Sequence, residues 1–144
     1  MTPIRVLFLC TGNSARSIIG AALLRQMGGD AFDVHSAGTH PKGINPYTVR
    51  VLEPLGIDLS AERSKDVAEY DGQSFDYVIT VCDAAAEACP VFPSAPERIH
   101  WSFVDPAAAI GTDDEKLAAF RRTVDGMRAR LGAFVPEALR RADR

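Results

Sequence analysis

A chain of 144 residues, 47% apolar and 24% charged with a formal net charge of −3, has the size of one domain that can bury a full core without disulfide or metal staples. The charge balance argues against a broad basic face for nucleic-acid phosphates, and no apolar run approaches the ~20 residues of a membrane span. The start lacks a basic-then-apolar signal pattern, so a single cytoplasmic domain over residues 1–144 is expected, and an odd count of three cysteines favours reduced, usable thiols over a static disulfide framework.

The first element is the apolar, β-prone run Ile4-Arg5-Val6-Leu7-Phe8-Leu9, which ends at Cys10. Small and polar residues follow (Thr11, Gly12, Asn13, Ser14, Ala15), then Arg16 and Ser17 where an amphipathic helical pattern begins (Ile18, Ile19, Ala22, Leu23, Met27). Strand, loop and helix in this order make an anion-binding cradle. Backbone N–H groups of the loop and first helical turn lack intrahelical partners, the helix dipole favours negative charge there, and Arg16 adds a fork that grips two oxygens. The same field should pull the Cys10 thiol below the free value of about 8.5 and make it a nucleophile. Gly12 allows close backbone approach, Asn13 tolerates the left-handed region, and Ser14 and Ser17 offer hydroxyls to the anion or the thiolate. A cysteine at a strand end is more often a small buried hydrophobe, but the C-x5-R spacing in this context outweighs that reading. No Gly-Lys-Ser/Thr follows, which excludes a Walker loop.

Gly28-Gly29-Asp30 ends the helix, and Phe32-Asp33-Val34-His35-Ser36 alternates as a second strand leading into the loop 37–43. Pro46 suits the first position of a short helix carrying Val49, Val51, Leu52 and Leu55 and stopped by Gly56. Asp66 to Tyr70 adds a helical turn. Phe75 to Val81 is apolar almost throughout and reads as a central strand, with Cys82 at its end. Asp83 to Pro90 follows, then a proline-punctuated loop over residues 91–96. Arg98 to Phe103 reads as a fourth strand leading to Asp105-Pro106, and Asp113 to Leu131 as a long helix with Leu117, Phe120, Val124, Met127 and Leu131 in its core face. His35 and His100, in strand patterns, read as packing or hydrogen-bonding residues, and the histidine and cysteine spacing offers no metal site.

Strands alternating with helical segments imply an α/β fold, a four-stranded parallel sheet in the order 2-1-3-4 with helices on both faces. Its ligand crevice lies beyond the carboxyl ends of the strands, where the order reverses. Cys10, Cys82 and Asp105 should therefore meet at one edge. Beside a thiolate and an oxyanion, the Asp105 carboxyl should resist ionisation, which suits a general acid.

The pattern resembles the low-molecular-weight protein tyrosine phosphatases, and more closely the arsenate reductases built on that fold. The resembling residues are Cys10 to Ser17, Val34-His35-Ser36-Ala37-Gly38, Thr80-Val81-Cys82-Asp83 with Cys89-Pro90, and His100-Trp101 with Asp105-Pro106, so the likeness covers nearly the whole chain. It implies reduction of arsenate to arsenite, in arsenic detoxification. Arsenate forms an adduct on Cys10, held by residues 11–17, Cys82 attacks the Cys10 sulfur as arsenite leaves, and Cys89 closes a Cys82–Cys89 disulfide. No tightly bound cofactor is implied, but an external thiol reductant is required: thioredoxin, or alternatively glutaredoxin with glutathione or a mycothiol system. Phosphate and sulfate should compete with arsenate. A helix across residues 82–89 would separate the two thiols' Cα atoms by roughly 10 Å, whereas a disulfide needs about 4.4–6.8 Å, so the alanine-rich segment should be helical when reduced and loop out on oxidation.

Two features depart from relatives. Ala107 stands where the phosphatases carry an aromatic residue after Asp-Pro, and Ala21 where some relatives place an acidic potassium ligand; Asn13, Ser36 and Asp66 still offer oxygens, but no bound cation is expected. The rival activity is a phosphatase for phosphotyrosine or a small phosphate ester, with Cys82 and Cys89 as packed thiols; a non-catalytic oxyanion-binding module is a further alternative.

Overall fold

The computed structural model describes residues 2–93 and 95–143, so Ser94 of the expected 91–96 loop, Met1 and Arg144 lie outside the described residues. Four parallel strands, β1 (Ile4–Cys10), β2 (Phe32–Gly38), β3 (Tyr77–Thr80) and β4 (Glu97–His100), form one sheet in the order β2-β1-β3-β4. β1 pairs with β2 from Ile4↔Phe32 to Cys10↔Gly38 and with β3 from Val6↔Tyr77 to Leu9↔Thr80. The helices are α1 (Arg16–Gly28), α2 (Pro46–Leu52), α3 (Asp83–Glu87) and α4 (Asp113–Ala142).

Register decides which face each side chain serves, because paired residues of parallel strands point the same way. Val6 and Phe8 share a face with Phe32 and Tyr77. α1 and α4 cover it: a Cβ on Gly20 would lie 2.7 Å from the Phe8 ring, so only glycine lets α1 cross this closely, and Phe134 of α4 packs its ring on Phe32, Tyr77 and Trp101. Leu7 and His35 share the other face, where Tyr70 of a 3-10 turn (Val67–Tyr70), Phe75 and Phe92 stack edge to face. Burial on both faces explains why β1 is apolar without alternation.

Several elements differ from expectation for local reasons. Residues 17–24 of α1 are all buried, so this helix is a central layer between the sheet, α2 and α4 rather than amphipathic, and Met27 lies outside the core at 40% exposure. β2 runs on past Ser36 to Gly38 because its end still pairs with β1, Ala37 with Leu9 and Gly38 with Cys10, while β3 and β4 are shorter than their apolar runs. α2 tightens at Leu52 into a 3-10 turn (Glu53–Leu55) that Gly56 ends at φ 80°. α4 continues through Pro136, and its start carries a Thr112–Glu115 capping box. Among the described residues, no helix is long and apolar enough to cross a membrane.

Candidate active site

The loop between β1 and α1 is shaped by its own carbonyls. Those of Cys10, Thr11, Gly12 and Ser14 accept from the backbone N–H groups of Thr39 (3.2 Å), His40 (2.8 Å), Lys42 (3.0 Å) and Asn45 (3.1 Å). A trans peptide sets its N–H opposite its C=O, so the amides of Thr11, Gly12 and Ala15, all in the cavity wall, turn away from residues 39–45. Gly38 lets β2 press against this loop: a Cβ there would stand 2.5 Å from the Thr11 carbonyl oxygen and 2.8 Å from the Asn13 nitrogen.

Asn13 takes φ 43°, the left-handed conformation its residue type allows, and is fully buried. Its Oδ1 accepts from Lys65 N (2.8 Å), and its Nδ2 donates to Ser17 Oγ (2.8 Å) and Ser36 Oγ (3.1 Å). Because Ser17 Oγ already accepts from Asn13, its hydrogen is free to point at Cys10 Sγ, 2.8 Å away. That contact strengthens when the sulfur carries charge. Asn13 and Ser17 thus support the loop from behind rather than line its cavity. Of the oxygens offered for a cation, Asn13 Oδ1 is engaged by Lys65, Ser36 Oγ by Asn13, and Asp66 Oδ1 caps Ala68 N at 2.8 Å, while Ala21 is buried. No cluster of three or more His, Cys, Asp or Glu side chains suited to a metal occurs among the described residues.

The cavity above Cys10 encloses about 410 Å³, and its walls include Thr11, Gly12, Ser14, Ala15, Arg16 and Asp105. Arg16 reaches over it with Nη1 donating to the Phe103 carbonyl (3.0 Å) and Nη2 3.9 Å from Asp105 Oδ2. Asp105 opens a 3-10 turn (Pro106–Ala108), and its Oδ1 accepts from Ala107 N at 3.0 Å. Ala107 contributes a methyl group to the wall where a ring would narrow the mouth. Two cationic-type residues that the sequence did not single out, His40 and Lys42, complete the wall. The Lys42 stem lies over Gly12, whose absent Cβ would stand 2.8 Å from Cε. Their only sequence signal was position, in the loop after β2 that the topology puts at this edge.

All three cysteines are free thiols. Cys82, buried just past β3, has Sγ 3.4 Å from Thr11 Oγ1, so the second thiol sits behind a wall residue of the cavity without lining it. Cys89 is half-buried beyond α3, with Sγ 3.6 Å from the Pro90 carbonyl. Burial raises its thiol above the ordinary range, with Arg98 opposing, so Cys89 rests protonated. Its place is outside the cavity wall.

A model of the low molecular weight phosphotyrosine protein phosphatase family matches residues 5–144. The arsenate reductase of Halalkalibacterium halodurans is 44% identical over 129 residues, covering 90% of this chain and 93% of its own length. That of Bacillus subtilis is 41% identical over 129 residues with the same two coverages. Among solved structures, a Corynebacterium glutamicum thioredoxin-dependent arsenate reductase aligns with a TM-score of 0.69 at 26% identity, over 95% of this chain and 64% of that one. With the family model spanning the cradle, both further thiols and Asp105, the chain belongs to the low molecular weight phosphotyrosine protein phosphatase family and is similar, within it, to arsenate reductases.

Proposed function

We propose that this chain reduces arsenate to arsenite, with Cys10, Cys82 and Cys89 as a three-thiol relay. The observation that carries the reading is the second thiol: Cys82 Sγ stands 3.4 Å from Thr11 Oγ1, behind a wall residue of the cavity, and hydrolysis of a phosphocysteine would need no such group. The similarity to arsenate reductases at 41–44% identity supports it.

In this mechanism the loop amides and Arg16 bind the oxyanion, and the Cys10 sulfur attacks arsenic as one oxygen leaves. Asp105 protonates that oxygen, which departs as water. Cys82 then attacks the Cys10 sulfur. The S–As electron pair stays with arsenic, reducing As(V) to As(III) and releasing arsenite from a Cys10–Cys82 disulfide. Cys89 attacks Cys82, freeing the Cys10 thiolate and leaving a Cys82–Cys89 disulfide. Two thiols have lost two electrons and arsenic has gained them. Turnover therefore needs an external thiol reductant that supplies two electrons, and the thioredoxin-dependent Corynebacterium relative supports thioredoxin over glutaredoxin with glutathione or a mycothiol system. Phosphate and sulfate, of like shape and charge, compete for the cradle.

The test is arsenite production with thioredoxin, thioredoxin reductase and NADPH, beside glutaredoxin with glutathione. Wild type turns over, whereas Cys10→Ser, Cys82→Ser and Cys89→Ser each lose multiple turnover. If no thiol donor supports arsenite formation, and wild type and Cys82→Ser cleave a phosphate ester equally, the chain is a phosphatase.

A further inference from the structure

Little holds α3 in place. Ala85 alone of its five residues is buried, Ala84 and Ala86 bring no functional group, and Glu87 makes no polar side-chain contact among the described residues. Asp83 is the exception. Its Oδ1 accepts from His100 Nε2 at 2.8 Å and from Ser102 Oγ at 3.3 Å. A carboxylate in this contact can only accept, so Nε2 carries the proton. The other ring nitrogen, Nδ1, lies 2.7 Å from Thr80 Oγ1. Thr80 and Asp83 flank Cys82 on its two sides, so one imidazole on β4 ties down the chain both before and after that thiol. The hydrogen bond from His100 also holds the Asp83 carboxyl below the usual carboxylate range, Ser102 adding to it.

We propose that His100 and Asp83 form a tether that sets the dithiol–disulfide equilibrium of Cys82 and Cys89, an inference that rests on the exchange between those thiols proposed above. The four helical steps from Asp83 to Glu87 alone rise about 6 Å, with Cys82 before them and Ala88 and Cys89 beyond, and a disulfide demands about 4.4–6.8 Å between Cα atoms, so closing the bond undoes the turn that Asp83 begins. The Ala86 N to Cys82 O bond (3.2 Å) belongs to that turn. A contact made only in the dithiol form lowers the free energy of that form alone, and so opposes oxidation. The tether thus serves two ends: it keeps Cys82 beside Thr11 until Cys10 is loaded, and it makes the finished disulfide easier to reduce.

The equilibrium is Cys82-SH plus Cys89-SH plus oxidised glutathione giving the Cys82–Cys89 disulfide plus two reduced glutathione, and it can be read without arsenate. The full chain in a Cys10→Ser background is equilibrated across glutathione ratios, alkylated and weighed by mass spectrometry with peptide mapping. The Asp83 side chain is 80% exposed, so Asp83→Ala and His100→Gln each move the midpoint toward disulfide by roughly two- to fivefold, fivefold being about 20 mV for a two-electron couple. The double variant moves no further than the larger single shift, and Glu87→Gln, a carboxylate on the same helix, leaves the midpoint in place. A disulfide that forms with the same midpoint in parent, Asp83→Ala and His100→Gln overturns the tether and leaves the relay standing. If the parent forms no Cys82–Cys89 disulfide at any ratio, tether and relay fall together.

Discussion

Asp105 divides its two oxygens between structure and the cavity. Oδ1 accepts from Ala107 N and fixes the turn, while Oδ2 faces Arg16 at 3.9 Å and is the atom that the proposed mechanism uses to protonate a leaving oxygen. Asp105→Asn keeps the size and one acceptor but cannot donate an acid proton, so kcat for arsenite formation should fall roughly 10²-fold with little change in phosphate affinity; steady-state kinetics beside phosphate titration check this. At this scale the sequence is legible where chemistry is local. Cys10 and Arg16 are six positions apart on a strand-loop-helix whose geometry is stereotyped, so their meeting follows from spacing. His40 and Lys42 were not legible, because a loop without regular structure carries them and three tertiary backbone bonds to Cys10, Thr11 and Gly12 fix its path. His100 read correctly as a hydrogen-bonding residue, yet its partner Asp83 depends on how β3 and β4 align, which no short spacing encodes.

Among elements, α2 and α4 are joined at one carboxylate. Asp113 in the first turn of α4 accepts from Arg50 at 2.8 and 3.0 Å and from Tyr47 Oη at 2.7 Å. The Arg50 hydrogen bonds, then that of Tyr47, hold its pKa at about 2 against 3.8 for a free group. A carboxyl depressed in the folded state stabilises fully above its unfolded value and loses that contribution as pH falls through the folded one. Wild type should therefore exceed Asp113→Asn in stability above pH 4 and lose the difference between pH 4 and 2, as denaturant melts at stepped pH will show. The pair is exposed, so the difference is small and shrinks with salt. α4 also shows why its end was read short. Gly132 and Pro136 look like terminators, but the proline forgoes one bond, to the Gly132 carbonyl, at a cost of about 3 kcal/mol. Burying Phe134 against Phe32, Tyr77 and Trp101, and Ala138 beyond it, offsets that cost, each large side chain contributing roughly 1.5–3 kcal/mol. Tertiary packing decided the boundary, and single-residue signals could not.

For the whole molecule, strand order was the most legible property. Right-handed crossovers leave few arrangements for four parallel strands, and the order 2-1-3-4 puts Cys10, Cys82 and Asp105 at one rim without any knowledge of side chains. A site built from three distant segments couples ligand binding to global stability. Phosphate at about 100 times its Kd should raise unfolding free energy by about 2.7 kcal/mol and the melting temperature by several degrees. Arg16→Ala should lose most of that gain, measured by thermal unfolding against chloride at matched ionic strength.

The short fourth strand has a further consequence, for how copies of this chain meet one another. β4 is an edge, and its outer row of amides and carbonyls is an open template for another strand. It offers only four residues, and Glu97, Arg98 and His100 are exposed along it, with Arg141 of α4 bonded to Glu97 at 2.9 Å. A strand added there would have to strip water from these polar groups over a span too brief to repay it, so the edge guards against sheet-to-sheet aggregation.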